Sequence, residues 1–275
     1  MNASAYQPPV DRLLNYGDCS KMGRTAPNYV EELSLTDEHI PDLLRLATDM
    51  NLNLGDPEDV VVWAPIHAMR ALGQLQAEAA IDPLLSLLKE IPDDDWFRET
   101  LPKVLGLIGA AAIPALSTYL TDPNQVLFDR INAIESFEKI AEEHPETRDA
   151  CVTALTQQLK EFNRNPLELN GFLVSSLVHL QAQDALPIIE KAFAARRVDL
   201  SIMGDWNDAQ VEMGLKDRAD LPDKRKFHPF ARFFGSVDFS TAAMPYEPMT
   251  TGFGKPATSP TSSKSGKSQK KKKKR

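Results

Sequence analysis

The sequence predicts an all-α protein, an α-solenoid of stacked antiparallel helix pairs followed by a disordered C-terminal tail. Three observations predict it. The stretch Trp63 to Glu90, WAPIHAMRALGQLQAEAAIDPLLSLLKE, reads as two helices joined by a tight corner. Diverged copies of that stretch follow, with Leu72, Leu105, Phe137 and Leu177 in equivalent places, at steps of 33, 32 and 40 residues. After residue 250 the composition collapses to Gly, Ser, Thr, Pro and Lys. A helix pair with an apolar face cannot bury that face alone, so a recurring period of this length implies units that cover one another.

In order along the chain, residues 1–57 read as an N-terminal capping segment. A short helix is expected around Val10 to Tyr16, then a loop. Thr36 is an N-cap candidate for a helix from Asp37 to about Met50, buried through Ile40, Leu43, Leu44 and Ala47. Gly55-Asp56-Pro57 breaks the chain before the repeats, which occupy residues 58–197.

The organising pair sets the pattern. Ala64, Ala68, Ala71, Leu72 and Leu75 fall on one helical stripe. The chain turns over Gln76 to Ala80, and Pro83 sits in the next first turn, where a missing N–H costs nothing. Leu84, Leu87, Leu88 and Ile91 form the second helix's buried edge. The pairing of Leu72-Gly73 with Pro83 recurs as Leu105-Gly106 with Pro114, and Pro187 follows Leu177 in the same way. The copy around Phe137 and Ile140 has neither the glycine nor the aligned proline.

At these residues the chain resembles the HEAT-like repeats of the phycobilisome-lyase type, with a leucine–glycine on helix one, a small-residue corner and a proline opening helix two. In that class, repeat proteins attach or remove a bilin on a phycobiliprotein cysteine, usually as one subunit of a pair. The resemblance implies a bacterial source and, as an alternative function, a subunit of a bilin-lyase complex.

Residues 198–249 read as a C-terminal cap and strap. A helix from Asp205 to Leu215 is expected to seal the last repeat with Trp206, Val211 and Leu215. The next stretch carries Phe227, Phe230, Phe233 and Phe234, either as a strap on the solenoid or as an exposed binding segment. The cost of exposing aromatics favours the strap. Residues 250–275 hold too little apolar surface to order themselves.

Composition narrows the function. With 42% hydrophobic residues the chain has material for a substantial core, and its apolar runs fall short of a bilayer span. No basic and hydrophobic leader opens it. Two cysteines, Cys19 and Cys151, supply neither a disulfide framework nor metal-ligand spacing, which fits a reducing cytoplasm. The net charge of −8 conceals an asymmetry: nine basic residues lie between Lys255 and Arg275, leaving 22 basic against 39 acidic residues before them, a net of −17. An acidic body is a poor grip for nucleic acid.

Chemical signatures are missing. The sequence contains no GxxxxGK[ST], GxSxG, HExxH or CxxC, so no cofactor and no metal are expected. Trp63, His67 and Arg70 share a helix face, as an apolar and cationic recognition patch or, on the bland reading, as packing between helix pairs. Asp205, Trp206 and Asp208, with Glu212, either cap the solenoid or meet a basic partner. Cys19 has Lys21 and Arg24 nearby, but without an adjacent His or second Cys it reads as an ordinary loop thiol. Lys264, Lys267, Lys270, Lys271, Lys272, Lys273, Lys274 and Arg275 form a basic tail suited to RNA, ribosomes or another anionic surface. Ser265-Gly266-Lys267 and the lysines after it resemble the basic remnant of a SEC-C tail without its cysteines, so zinc is not carried over. The expectation is therefore a non-enzymatic scaffold that binds another protein along the solenoid, with the tail as an additional nucleic-acid or ribosome contact.

Overall fold

A computed structural model describes residues 6–22, 26–92 and 94–221. The phenylalanine-rich stretch after residue 222 and the basic tail lie outside the described residues, as does Arg24. No strand occurs among the described residues. An N-terminal segment holds α1 (Tyr29–Leu33), α2 (Ile40–Ala47) and α3 (Met50–Asn53). Four helix pairs follow: α4 (Ala64–Gln74) with α5 (Ile81–Glu90), α6 (Asp95–Ile108) with α7 (Ile113–Thr121), α8 (Leu127–Glu143) with α9 (Arg148–Leu159), and α10 (Leu167–His179) with α11 (Leu186–Ala194). Two short helices, α12 (Leu200–Met203) and α13 (Trp206–Glu212), end the described chain.

The first helix of each pair packs on the first helix of the next, so α2, α4, α6, α8, α10 and α12 form one continuous layer. Leu72, Leu105, Phe137 and Leu177, the residues that define the period, are all fully buried. The glycines explain how closely these helices lie. A Cβ on Gly73 would meet the Val104 Cα at 3.2 Å, and one on Gly106 would meet the Lys139 Cβ at 2.8 Å and its backbone at 3.2 Å. Each glycine thus sits where the next first helix crosses it. In the third pair the same register holds Glu138, whose buried carboxylate accepts a hydrogen bond from the Ser176 hydroxyl on α10. That polar contact stands where glycine stands in the first two pairs.

The corners share their chemistry. Gln76 and Gln181 have φ of 51° and 52°, and the residue after each donates its N–H back to Leu72 or Leu177, both at 2.9–3.0 Å. This six-to-one bond is the Schellman stop, here with glutamine in the left-handed position usually held by glycine. Prolines follow in the first turns of α7 and α11, while Pro145 opens the corner of the third pair.

The loops returning from one pair to the next are fastened by arginines. Arg98 donates to the Pro92 carbonyl at 2.9 and 3.1 Å and pairs with the buried Asp129. Arg130 donates to the Leu120 carbonyl at 2.9 Å. Arg197 reaches the carbonyls of Phe162, Asn163 and Asn165, while Arg148 of α9 fastens instead the corner within the fourth pair, donating to the Leu180 and Gln181 carbonyls. Cations near helix C-termini satisfy carbonyls left without intrahelical partners and suit the helix dipole.

Three local expectations change. Thr36 does begin the turn that enters α2, but that helix stops at Ala47 and Asp49 caps a separate α3. Helix α13 ends at Glu212, and Leu215 is half-exposed while Ala209 and Met213 are buried. Leu215 therefore does not seal the last repeat: Gly214, at φ 68°, turns the chain away first. Finally, Asp95–Thr121 contains an 18-residue window of mean hydropathy 1.6, long and apolar enough to cross a membrane by composition. The chain reverses within the stretch at Gly109, φ 83°, to give α6 and α7, and half of that window is buried inside the fold.

The glycine crossing yields a test. Gly106→Ala gains helix propensity worth about 1 kcal/mol but drives a methyl into α8. The overpacking cost of about 1–3 kcal/mol should win, lowering the thermal midpoint by about 2–4 °C per kcal/mol lost. An unchanged or higher midpoint by calorimetry would mean that the helices separate freely here.

Candidate functional site

Helix α4 splits the expected trio into two environments. His67 is fully buried. Its Nδ1 lies 2.7 Å from the Tyr29 hydroxyl and its Nε2 lies 2.9 Å from the Gly17 carbonyl oxygen. A carbonyl can only accept, so Nε2 carries the proton and Nδ1 accepts from Tyr29. Tyr16 and Tyr29 lean on the imidazole at centroid distances of 5.0 and 5.5 Å. The Arg70 guanidinium beside the Tyr29 hydroxyl opposes the burial that raises the phenol, while Gln74 donates to the Pro27 carbonyl at 2.7 Å. This face of α4 clasps the N-terminal segment. Trp63, half-buried, instead meets Trp96 of the next pair edge to face, at 5.2 Å.

The clasp also brings the Cys19 Sγ to 3.6 Å from both ring nitrogens of His67, a pairing invisible from the sequence. It does not form an activated nucleophile. Both nitrogens are already engaged, and burial pushes the thiol up to about 11 while holding the imidazole below its ordinary value. A thiolate–imidazolium pair is therefore disfavoured on both sides. Cys151 is likewise buried and free.

At the other end, Asp205 is the N-cap of α13, accepting from the Asn207 N–H at 2.8 Å, and Asp208 returns a bond to the Asp205 N–H at 2.9 Å. Trp206 packs on Phe193 with centroids 5.9 Å apart. Trp206 thus packs α13 against the last pair, while Asp205 and Asp208 cap the start of α13. The tail residues Lys264, Lys267, Lys270 to Lys274 and Arg275 lie outside the described residues.

Two surfaces emerge that residue-by-residue reading did not single out. The first lies on the second helices. A groove of about 690 Å³ separates α5 from α7, lined by Leu85, Lys89, Thr118 and Tyr119 among others. A second, of about 600 Å³, separates α7 from α9 and is mostly apolar, with Ile113, Leu120, Ala150 and Ala154. The second surface is an edge where the first helices begin. Trp63, Trp96 and Phe128 each stand nine residues before the repeat-defining Leu72, Leu105 and Phe137. Val60, Trp96, Val126, Phe128, Leu167 and Leu200 along this edge are between 38% and 68% exposed. The period that aligns the leucines also aligns these aromatics.

The family model of the PBS lyase HEAT-like repeat matches residues 66–90, the α4–α5 pair. The protein is built on HEAT-like repeats. Comparison with curated proteins gave no match, and none was found among solved structures. Among the described residues, no group of three or more His, Cys, Asp or Glu is placed to hold a metal ion.

The layer of first helices also carries an acidic stripe, buried at Glu138, partly buried at Glu135 and exposed at Glu142. Glu135, Glu138 and Glu142 lie at i, i+3 and i+7 on α8. Glu142 bonds His179 of α10 at 3.0 Å, which holds the carboxyl down to about 2 and raises the imidazole. Glu135 has no such partner: burial, with the Glu138 charge adding to it and Lys139 opposing, raises its carboxyl to about 7. The folded state therefore holds this proton more tightly than the unfolded chain. The stability so gained is fully present below about pH 4.5 and is lost as the pH rises through 7. Glu135→Gln should accordingly raise the thermal midpoint at pH 8 by about 2–4 °C and leave it unchanged at pH 4. Equal shifts at both pH values would show that the carboxyl is solvated.

Proposed function

We propose that this HEAT-like repeat protein is a non-enzymatic interaction scaffold that holds an extended segment of another protein on its second helices. HEAT-like repeats generally mediate protein–protein interaction, and the carrying observation is that both grooves border the same helix. Ile113, Ser117 and Leu120 of α7 face one groove, while Ala115, Thr118 and Tyr119 face the other. A partner crossing α7 would meet a continuous track across three repeats. Helical repeats suit this use because each repeat adds one increment of contact to a long surface. The exposed Thr118 and Thr153 line the two grooves, so Thr118→Arg with Thr153→Arg would obstruct the track without touching the core.

The scaffold reading expects a discrete partner to be retained from native lysate by the full chain and by a 1–254 truncation, and lost about tenfold by the double arginine variant, the loss corresponding to about 1.4 kcal/mol. Undiminished retention by that variant, with its helical circular dichroism intact, would remove the second-helix face as the binding surface. Retention that vanishes with the tail and with nuclease would transfer the function to the basic residues after Lys255.

The name of the matching repeat supports a second reading, a subunit of a bilin-lyase-type complex. That reading expects the protein to change the absorption spectrum of a free bilin on mixing. A spectrum that is the simple sum of the two components ends it.

A further inference from the structure

The rim where α4, α6 and α8 begin is a surface distinct from the grooves. Near the start of α6, Arg98 pairs with Asp129 of α8, and the Asn132 side chain donates to the Arg98 carbonyl at 2.7 Å. Farther along the same two helices, Gly106 lies against Lys139, and the His144 Nε2 is 3.3 Å from the Leu107 carbonyl oxygen. Trp63 against Trp96, and Gly73 against Val104 and Leu107, do the same for α4 and α6. Contacts between equivalent positions along the helices make them parallel and level, so their first turns open on one rim. Val60, Trp96, Val126 and Phe128 are exposed there, and Trp63 is half-buried among them. Large apolar side chains gathered at one surface mark an interaction site.

Carboxylates frame this row. The segments 56–63 and 92–96, which lead into α4 and α6, contain six acidic residues and no basic one. Helix starts use some of them: Asp59 accepts the Val61 N–H at 3.2 Å, and Asp94 the Phe97 N–H at 2.9 Å. Glu58 and Asp95 exceed that need. Both are exposed, and among the described residues neither joins an ion pair. The cations next to the second segment are already engaged. Arg98 is held by Asp129 and the Pro92 carbonyl, and Lys89 lies within electrostatic reach of Asp122.

We propose that this rim is the docking site of an arginine-bearing apolar segment of another protein. Charge complementarity selects that occupant. The carboxylates repel phosphate-bearing surfaces, whether nucleic acid or anionic lipid. A second copy joined through the same rim would set carboxylate against carboxylate. Arginine suits both parts of the rim at once, because its planar guanidinium stacks on an aromatic face and forks onto a carboxylate. Trp96 is a prepared anchor: its edge-to-face contact with Trp63 fixes the ring, while 38% of the residue stays open to solvent. Neighbouring packed helices lie about 8–10 Å apart, and residues three apart in an extended segment are about 10 Å apart. An arginine over Trp96 therefore places the residue three positions away at Phe128, where an apolar side chain is wanted. The contact is independent of the second-helix grooves.

The test is fluorescence anisotropy of the full chain with a fluorescein-labelled peptide of Arg-Gly-Ser-Leu repeats. The peptide should bind, and lysine in place of its arginines should weaken binding about threefold. Trp96→Ala with Phe128→Ala should weaken it about tenfold. Glu58→Gln with Asp95→Asn, which leaves the apolar row intact, should weaken it about fivefold at low salt. That second loss should vanish near 1 M salt, where screening acts within about 3 Å. Absence of binding overturns the proposal, as does undiminished binding by either variant with its helical circular dichroism intact. Equal binding of an Asp-Gly-Ser-Leu peptide, or co-sedimentation of the chain with phosphatidylserine vesicles, overturns it too. Weakening by Thr118→Arg with Thr153→Arg would move the peptide into the grooves, ending the rim assignment while leaving the scaffold reading in place. A dimer in sedimentation that Trp96→Ala with Phe128→Ala returns to monomer would give the rim to a second copy and likewise overturn it.

Discussion

The close parallel contact between successive first helices is the constraint on which the rest of the structure depends. Where Gly73 and Gly106 present no side chain, the next helix approaches to within a few ångströms of the backbone. A dense apolar contact of this kind fixes the rotation and translation between neighbours, because packed interiors tolerate little change in volume. Once that register is set, every position in the repeat becomes a row across the molecule. Leucines form the buried row, corners form another, and the residues nine places earlier form a row of aromatics in which Trp63 is half-buried and Trp96 and Phe128 are exposed. A period in the sequence is thereby converted into lines on the surface. In the third pair Glu138 takes the glycine's place, and the contact becomes a hydrogen bond to Ser176.

The arginine fastenings follow from the same arrangement. Stacking the pairs brings the end of one second helix beside the start of the next first helix, where carbonyl groups lack partners. Arg98, Arg130 and Arg197 occupy these junctions and donate to the carbonyls. An isolated buried charge would be costly, and Arg98 is offset by the buried Asp129. Such pairs contribute geometry more than net stability. They hold the return loops at one length while the layer of first helices supplies the apolar burial.

Much of this fold was legible because it is periodic. The leucine spacing, the leucine–glycine pairs and the prolines at helix starts each have a local physical cause, and each recurs. The site was less legible for the opposite reason. His67 finds Tyr29, Gly17 and Cys19, residues 38 to 50 positions earlier, and nothing local in either stretch marks the pairing. Trp63 was visible as an aromatic on a helix face, but its meaning depends on Trp96 and Phe128 holding equivalent places. Leu215 was misplaced because apolar spacing continues past Gly214, where the backbone turns out of the helix. Asp205 and Asp208 read as an acidic cluster, yet each satisfies a backbone N–H at the start of α13.

Proximity and chemistry also have to be separated here. Cys19 and His67 are near enough to suggest a nucleophile and its base, but the hydrogen-bond partners fix the imidazole as a neutral link between Gly17 and Tyr29. Burial then keeps both groups uncharged. The two candidate surfaces differ in origin: the grooves arise from spacing between second helices, and the edge from the shared starting level of first helices. Because one lies on a face of the layer and the other at its rim, occupation of one does not exclude the other. The repeat architecture thus yields two distinct surfaces from a single period, the grooves on its second helices and the apolar rim where its first helices begin.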